Sequence, residues 1–228
     1  MKLNEKILVG LIEKRISKSN NDEIELALDF LKKYLESRKI FRNADGTYDC
    51  NGSITIRAND PLLKKDKTGF VIPFNKIKGS FNCDHIDLIG LVNCPQIIGK
   101  DFHCQYNRLT SLEGGPKEVG GYYDCSANYL ESLKGSPKII PHIFDCGYNN
   151  LTNLMGAPKK IHDFYLMSNN LTSLDGIPKE CKFLSLWNNP ITKKLGKTDQ
   201  EAKTKIIKKY NVNIESVALE SVALRDNY

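Results

Sequence analysis

Five asparagines, Asn107, Asn128, Asn149, Asn169 and Asn189, recur at separations of 21, 21, 20 and 20 residues. Each sits in one frame: an aromatic residue or leucine, then cysteine or leucine two residues on, the asparagine three further, and leucine or isoleucine two beyond it. A unit of about twenty residues cannot enclose a core of its own, so it buries its apolar side against the next copy. The period therefore predicts a solenoid, whose product is an extended recognition surface.

Within each unit the pairs Phe81/Cys83, Phe102/Cys104, Tyr123/Cys125, Phe144/Cys146, Phe164/Leu166 and Leu184/Leu186 alternate with polar residues. That period of two predicts one short strand per unit with ring and thiol inward. Leucines such as Leu109 and Leu112 follow, then the prolines Pro95, Pro116, Pro137, Pro158 and Pro178, which fix a return bend. The return arm is too short for a full α-helix, so extended or 3₁₀ segments are expected. The asparagines are expected to bond backbone groups at the bend after each strand, a structural role.

Cys83, Cys104, Cys125 and Cys146 stand 21 apart, with Leu166 and Leu186 at the equivalent positions of the next units. A thiol that leucine replaces is a small buried hydrophobe. A thiolate metal site would leave two rungs without ligands, and none of the seven cysteines has CxxC spacing. No metal, cofactor or disulfide framework is expected.

Two helices are expected at the N-terminus, from about Leu3 to Ser17 and from Asn21 to Arg38, the second capped by Asn20 with Glu23 and carrying Ile24, Ala27, Leu28, Leu31, Tyr34 and Leu35 on one face. Thr47–Cys50, Asn51-Gly52 and Ser53–Ile56 have the pattern of a hairpin with a type I′ turn. Ile54 to Asn59 already fits the frame, with Asn59 in the asparagine position, and residues 60–78 form a longer loop or irregular first unit. After Ile191 the frame stops; Thr198 to Glu201 has capping-box spacing, and Ala202, Ile206, Ile207 and Tyr210 predict a short amphipathic helix. The tail duplicates Glu-Ser-Val-Ala-Leu at 215–219 and 220–224, and either docks or binds a partner.

Residues Phe102 to Ile191 match LxxLxLxxNxL closely enough to resemble the short-period leucine-rich repeats. Segments such as Asn170-Leu-Thr-Ser-Leu-Asp-Gly-Ile-Pro-Lys are similar to repeats of bacterial effectors and of small proteins encoded by tailed bacteriophages. The resemblance implies a leucine-rich-repeat solenoid, mostly β within the α/β class, with a parallel sheet of about seven short strands on its concave face. Residues 1–45 then form an N-terminal helical cap, 46–192 the solenoid with its opening hairpin, and 193–228 a C-terminal helical cap and tail. In the effectors a ligase domain can follow the repeats; here 37 residues remain after Ile191.

Residues between the inward positions should face outward on the concave sheet, with His85, Tyr106, Tyr148 and Ser168 one position further along. From these, Asp84, His103, Gln105, Asp124, Asp145, Tyr148, Tyr165, Met167 and Trp187 are the expected partner-binding residues, the three aspartates as an acidic stripe and the aromatic residues and methionine as a hot spot. Trp187 either faces the partner or packs under the C-terminal cap. His103 with Asp124, or His162 beside Asp163, lacks a positioned nucleophile, and no nucleotide-binding or hydrolase motif occurs. The expectation is a non-enzymatic module that binds a protein through its concave face, a host factor if the chain is phage-encoded.

The net charge of +6 comes from 33 basic against 27 acidic residues spread along the chain. Nucleic-acid binding through Lys64, Lys65 and Lys67 with the lysines from Lys193 to Lys209 is the first alternative, disfavoured by the acidic rungs. A structural or virion-assembly role is the second. No stretch approaches the roughly 20 apolar residues of a membrane span, and residues 7–12 run into charge without a cleavage site. A cytoplasmic location is expected, the host cytoplasm if the chain is phage-encoded; oligomeric state is left open.

Overall fold

Strands that bury ring and thiol on one side must pair so that rings meet rings, and they do so one period apart. The computed structural model describes residues 18, 20–33 and 40–220. Among these the fold is sheet-rich α/β, with mostly parallel strands and few helices. A five-stranded sheet runs β1 (Ile40–Arg42), β2 (Tyr48–Cys50), β4 (Phe74–Ile77), β6 (Ile97–Ile98) and β8 (Glu118–Val119). An eight-stranded sheet runs β3 (Ile54–Thr55), β5 (Phe81–Asn82), β7 (Phe102–His103), β9 (Tyr123–Asp124), β10 (Ile139–Asp145), β11 (Lys160–Tyr165), β12 (Glu180–Ser185) and β13 (Asn213–Ala218). Among these strands only β1 and β2 pair antiparallel, and a lone antiparallel bridge joins Leu63 to Phe70.

The register of the larger sheet aligns Phe81, Phe102, Tyr123, Phe144, Phe164, Leu184 and Val217. Their rings form one buried stack: Phe102 and Tyr123 meet edge to face at 4.9 Å, and Phe144 lies parallel to Phe164 at 5.4 Å. Beside it runs the buried column Cys83, Cys104, Cys125 and Cys146, continued by Leu166 and Leu186. Cys125 Sγ lies 3.4 Å from Cys146 Sγ and 3.3 Å from the Asp145 carbonyl, to which it donates. Burial holds these thiols protonated: the Cys83, Cys104 and Cys125 thiols are raised well above their ordinary range and Cys146 to about 11, in each case chiefly by desolvation.

The asparagines tie each rung to the one before. Asn128 Nδ2 donates to the carbonyl of Cys104 at 3.0 Å and to that of Cys125 at 3.2 Å, while its Oδ1 accepts the Leu109 N–H at 2.9 Å. Asn107, Asn149, Asn169 and Asn189 repeat the arrangement, all buried. Asn59 does not. Its rung is the first of the larger sheet, with no earlier carbonyl to bridge, and the residue is exposed.

The connection from residue 60 to residue 78 is more than a loop. Leu62, Leu63, Phe70, Ile72 and Phe74 lie in the core, and Phe70 packs edge-on against Phe81 at 5.1 Å. The expected hairpin is also redistributed. β2 pairs with β1 and β4, β3 pairs with β5 in the other sheet, and Asn51-Gly52 turns the corner between sheets without positive φ. The local turn signal is outweighed because Ile54 must align with Phe81. On the return side, where extended or 3₁₀ structure is expected, β4, β6 and β8 form a second sheet, and from β10 onward single strands run through the corner between the two. Gly135, at φ +97°, crosses the previous rung so closely that a Cβ would stand 2.4 Å from the Leu112 carbonyl carbon.

Residues 20–33 form a helix, α1, that buries Ala27 and Leu31 against the core, with Ile24 and Leu28 half-buried beside them. Lys18 and Asn20 are already helical, so Asn20 is not the cap expected for it. The expected first helix, the positions of Tyr34 and Leu35, and residues 221–224 of the second tail copy lie outside the described residues. At the other end, α2 (Thr192–Leu195) leads to α3 (Asp199–Tyr210). Thr198 Oγ1 accepts the Glu201 N–H, and Glu201 Oε2 accepts that of Lys197. Ala202 and Ile206 are buried, whereas Ile207, expected on the same face, is exposed. The first tail copy forms most of β13, which adds an eighth strand by pairing parallel to β12.

Replacing Asn128 with alanine strands buried backbone groups and is expected to cost at least about 3 kcal/mol, while Asn59→Ala costs under about 0.5 kcal/mol; urea unfolding of both variants checks the contrast. All seven cysteines are free and buried, so a thiol reagent at mildly alkaline pH should modify none in the native protein and all of them in denaturant.

Candidate functional site

On the face opposite the thiols, the same register lays side chains in columns. The first runs Thr55, Asn82, His103, Asp124, Asp145, Tyr165, Ser185 and Ala218. The second, two residues on, runs Asp84, Gln105, Ser126, Gly147, Met167 and Trp187, whose carbonyls from Gln105 onward each accept an N–H from the preceding rung. Asp124 and Asp145 are therefore direct neighbours, but Asp84 stands in the other column. The expected three-aspartate stripe reduces to a pair.

These aspartates have backbone duties. Asp124 Oδ1 accepts the Ser126 N–H at 2.9 Å, and Asp145 Oδ1 accepts that of Gly147 at 2.8 Å. Loss of water around the half-buried Asp145, followed by the charge of Asp124, pushes its carboxyl up to about 7. Gly147 leaves room for Met167, whose Cγ would stand 2.9 Å from an added Cβ, and Met167 is half-buried. Tyr165 packs on Phe183 at 5.4 Å and is also half-buried. β13 covers Ser185, and Trp187, beyond the end of that strand, is half-buried. His103 and Gln105 are half-buried as well. Gln105 Oε1 is buried with no hydrogen-bond partner among the described residues.

A third column is more exposed than these two, with His85, Tyr106, Tyr148 and Asn188 exposed and Ala127 and Ser168 half-buried. His85, Tyr106, Ala127, Tyr148, Ser168 and Asn188 all adopt left-handed backbone, with φ between 50° and 54°. Non-glycine residues rarely hold this conformation, and here the following rung enforces it: His85, Tyr106, Ala127, Tyr148 and Ser168 each donate an N–H to the carbonyl beside them. The larger side chains of the column are consequently thrown outward. Tyr106 is 57% and Tyr148 54% exposed, and Tyr129, just beyond, is 54% exposed. His85 stacks on Tyr106 at 4.3 Å while its Nδ1 meets Asp84 Oδ2 at 3.0 Å. Tyr106 and Tyr148 flank Ala127, about 10 Å apart at two strand spacings.

Of the expected site residues, Tyr148 thus belongs to this edge, whereas Tyr165, Met167 and Trp187 lie on the sheet face nearer β13. One hot spot becomes two neighbouring patches. Tyr129 follows an asparagine, outside the strand alternation from which the expected surface residues are read; its place in the repeat frame is the signal that identifies it as exposed. The two groups of lysines lie apart: Lys64 and Lys65 line a hollow with α1, whereas Lys193, Lys194, Lys203, Lys205, Lys208 and Lys209 are on α2 and α3, the latter packed on β13, the last strand of the larger sheet. Among the described residues no cluster of histidine, cysteine or carboxylate side chains has the arrangement of a metal site, and no helix is long and apolar enough to cross a membrane. In comparisons with family models, curated proteins and solved structures, nothing matches this chain.

Because native Asp145 keeps a proton that the unfolded chain releases near its ordinary value of 3.8, this residue's contribution to stability falls as pH rises from about 4 to about 7. Asp145→Asn keeps the acceptor for Gly147 and removes the titration. The variant should be more stable than wild type by up to about 4 kcal/mol at pH 8, with the difference vanishing near pH 4, in urea melts at both values.

Proposed function

We propose that this chain is a leucine-rich-repeat solenoid acting as a non-enzymatic recognition module, with helical caps at its ends and its larger sheet on the concave side. The in-register pairing one period apart and the asparagine ladder support the solenoid reading. The likeness to effector and bacteriophage repeats makes a host protein in the cytoplasm the expected class of partner.

One observation carries the functional reading: tyrosines at 106, 129 and 148 are more than half exposed on backbone held rigid by interstrand bonds. Exposed tyrosines on a preorganised frame lose little entropy on binding and supply large contact area, as interface anchors do. Asp84, His103, Gln105, Asp124 and Asp145 form the polar ground beside them, and Tyr165, Met167 and Trp187 extend the surface toward β13. The separation of the lysine groups favours this over nucleic-acid binding.

Affinity capture from host lysate tests the proposal with wild type, Tyr106→Ala/Tyr148→Ala and Tyr165→Ala/Trp187→Ala baits, folding being checked by circular dichroism. One protein retained by wild type should bind the first variant at least about tenfold more weakly. Undiminished retention by both variants would remove these residues as the contact surface.

A further inference from the structure

A cavity of about 550 Å³ opens beside the C-terminal helices, away from the tyrosine edge. Its floor is apolar: Ile191 and Leu195 are buried there, and the half-buried Tyr210 ring closes one side. Its rim is cationic, because Lys194, Lys205, Lys208 and Lys209 are all exposed around it. Helix geometry explains how they converge. Lys205, Lys208 and Lys209 follow at three- and four-residue spacing on one face of α3, and Lys194 faces them from α2.

None of these lysines forms an ion pair among the described residues. Lys205 Nζ donates to the Lys194 carbonyl at 3.3 Å, and Lys209 Nζ lies 4.8 Å from the Tyr210 ring centre. The charges are thus gathered around an apolar hollow with no carboxylate at ion-pairing distance among the described residues, and only Lys209 feels one from further off, that of Asp175. Lys208 and Lys209 also suit the negative end of α3, which accounts for two of the lysines but not for Lys194, Lys205 or the cavity.

We propose that this cavity docks an acidic, leucine-bearing peptide segment of a partner protein, the apolar side chain entering above Leu195 and the flanking carboxylates meeting the lysine rim. Both halves of the site are required by that chemistry. Nucleic-acid phosphates would use the charge and leave the hollow empty, and a neutral apolar segment would leave four cations unpaired.

The test is fluorescence polarisation on the full chain with a labelled amphipathic peptide of glutamate, leucine and alanine. Three comparison probes are its glutamine counterpart, polyglutamate and a single-stranded oligonucleotide. Binding to the amphipathic peptide should be saturable and at least about tenfold tighter than to any comparison probe. It should weaken about tenfold or more in Lys205→Gln/Lys208→Gln and be lost in Thr172→Trp, which fills the cavity from an exposed position. Tyr106→Ala/Tyr148→Ala should bind as wild type, keeping this site separate from the tyrosine edge. Absence of binding, equal binding of polyglutamate, stronger binding of the oligonucleotide, or unchanged affinity in folded pocket variants overturns the proposal.

Discussion

The asparagine side chain is the part on which the five rungs from Phe102 to Leu184 depend. A chain that turns sharply after a two-residue strand leaves N–H and C=O groups facing an apolar interior, and each must find a partner there. One carboxamide supplies a donor and an acceptor together, joining the cysteine or leucine carbonyls of two rungs to a leucine N–H of the earlier one. The dependence has a direction: a bend is completed by the rung after it. The two ends therefore need different solutions. At the start Asn59 has nothing to bridge, and at the finish the Leu186 N–H goes to Ala218 of β13.

The repeated core was legible because it obeys simple periods. Rings and thiols alternate with polar residues, and their exchange with leucine in later units marks them as packing groups, which their burial matches. The second sheet was not legible. Strands such as Glu118–Val119 carry a single buried residue each, too few for any periodicity. Asn51-Gly52 misled for the opposite reason, since a strong local preference was overruled by the alignment of Ile54 with Phe81. The first tail copy offered no frame at all, yet its Val217 takes the place of a ring at the end of the stack.

For the candidate surface, alternation indicated which side chains leave the core but not how far each emerges. Half-burial of Tyr165 and Met167 depends on Phe183 and on the absent side chain of Gly147, contacts between residues distant in the chain. The third column carries no compositional mark either. Histidine, tyrosine, alanine, serine and asparagine all occupy it, and only the pairing around them sets their common backbone state.

That column separates two kinds of inheritance. Its side chains project from a backbone whose hydrogen bonds are made by neighbouring peptide groups, so exchanging one residue for another alters the message displayed and spares the framework. Side chains in such a column can be exchanged one at a time while the peptide groups that hold it keep the same partners.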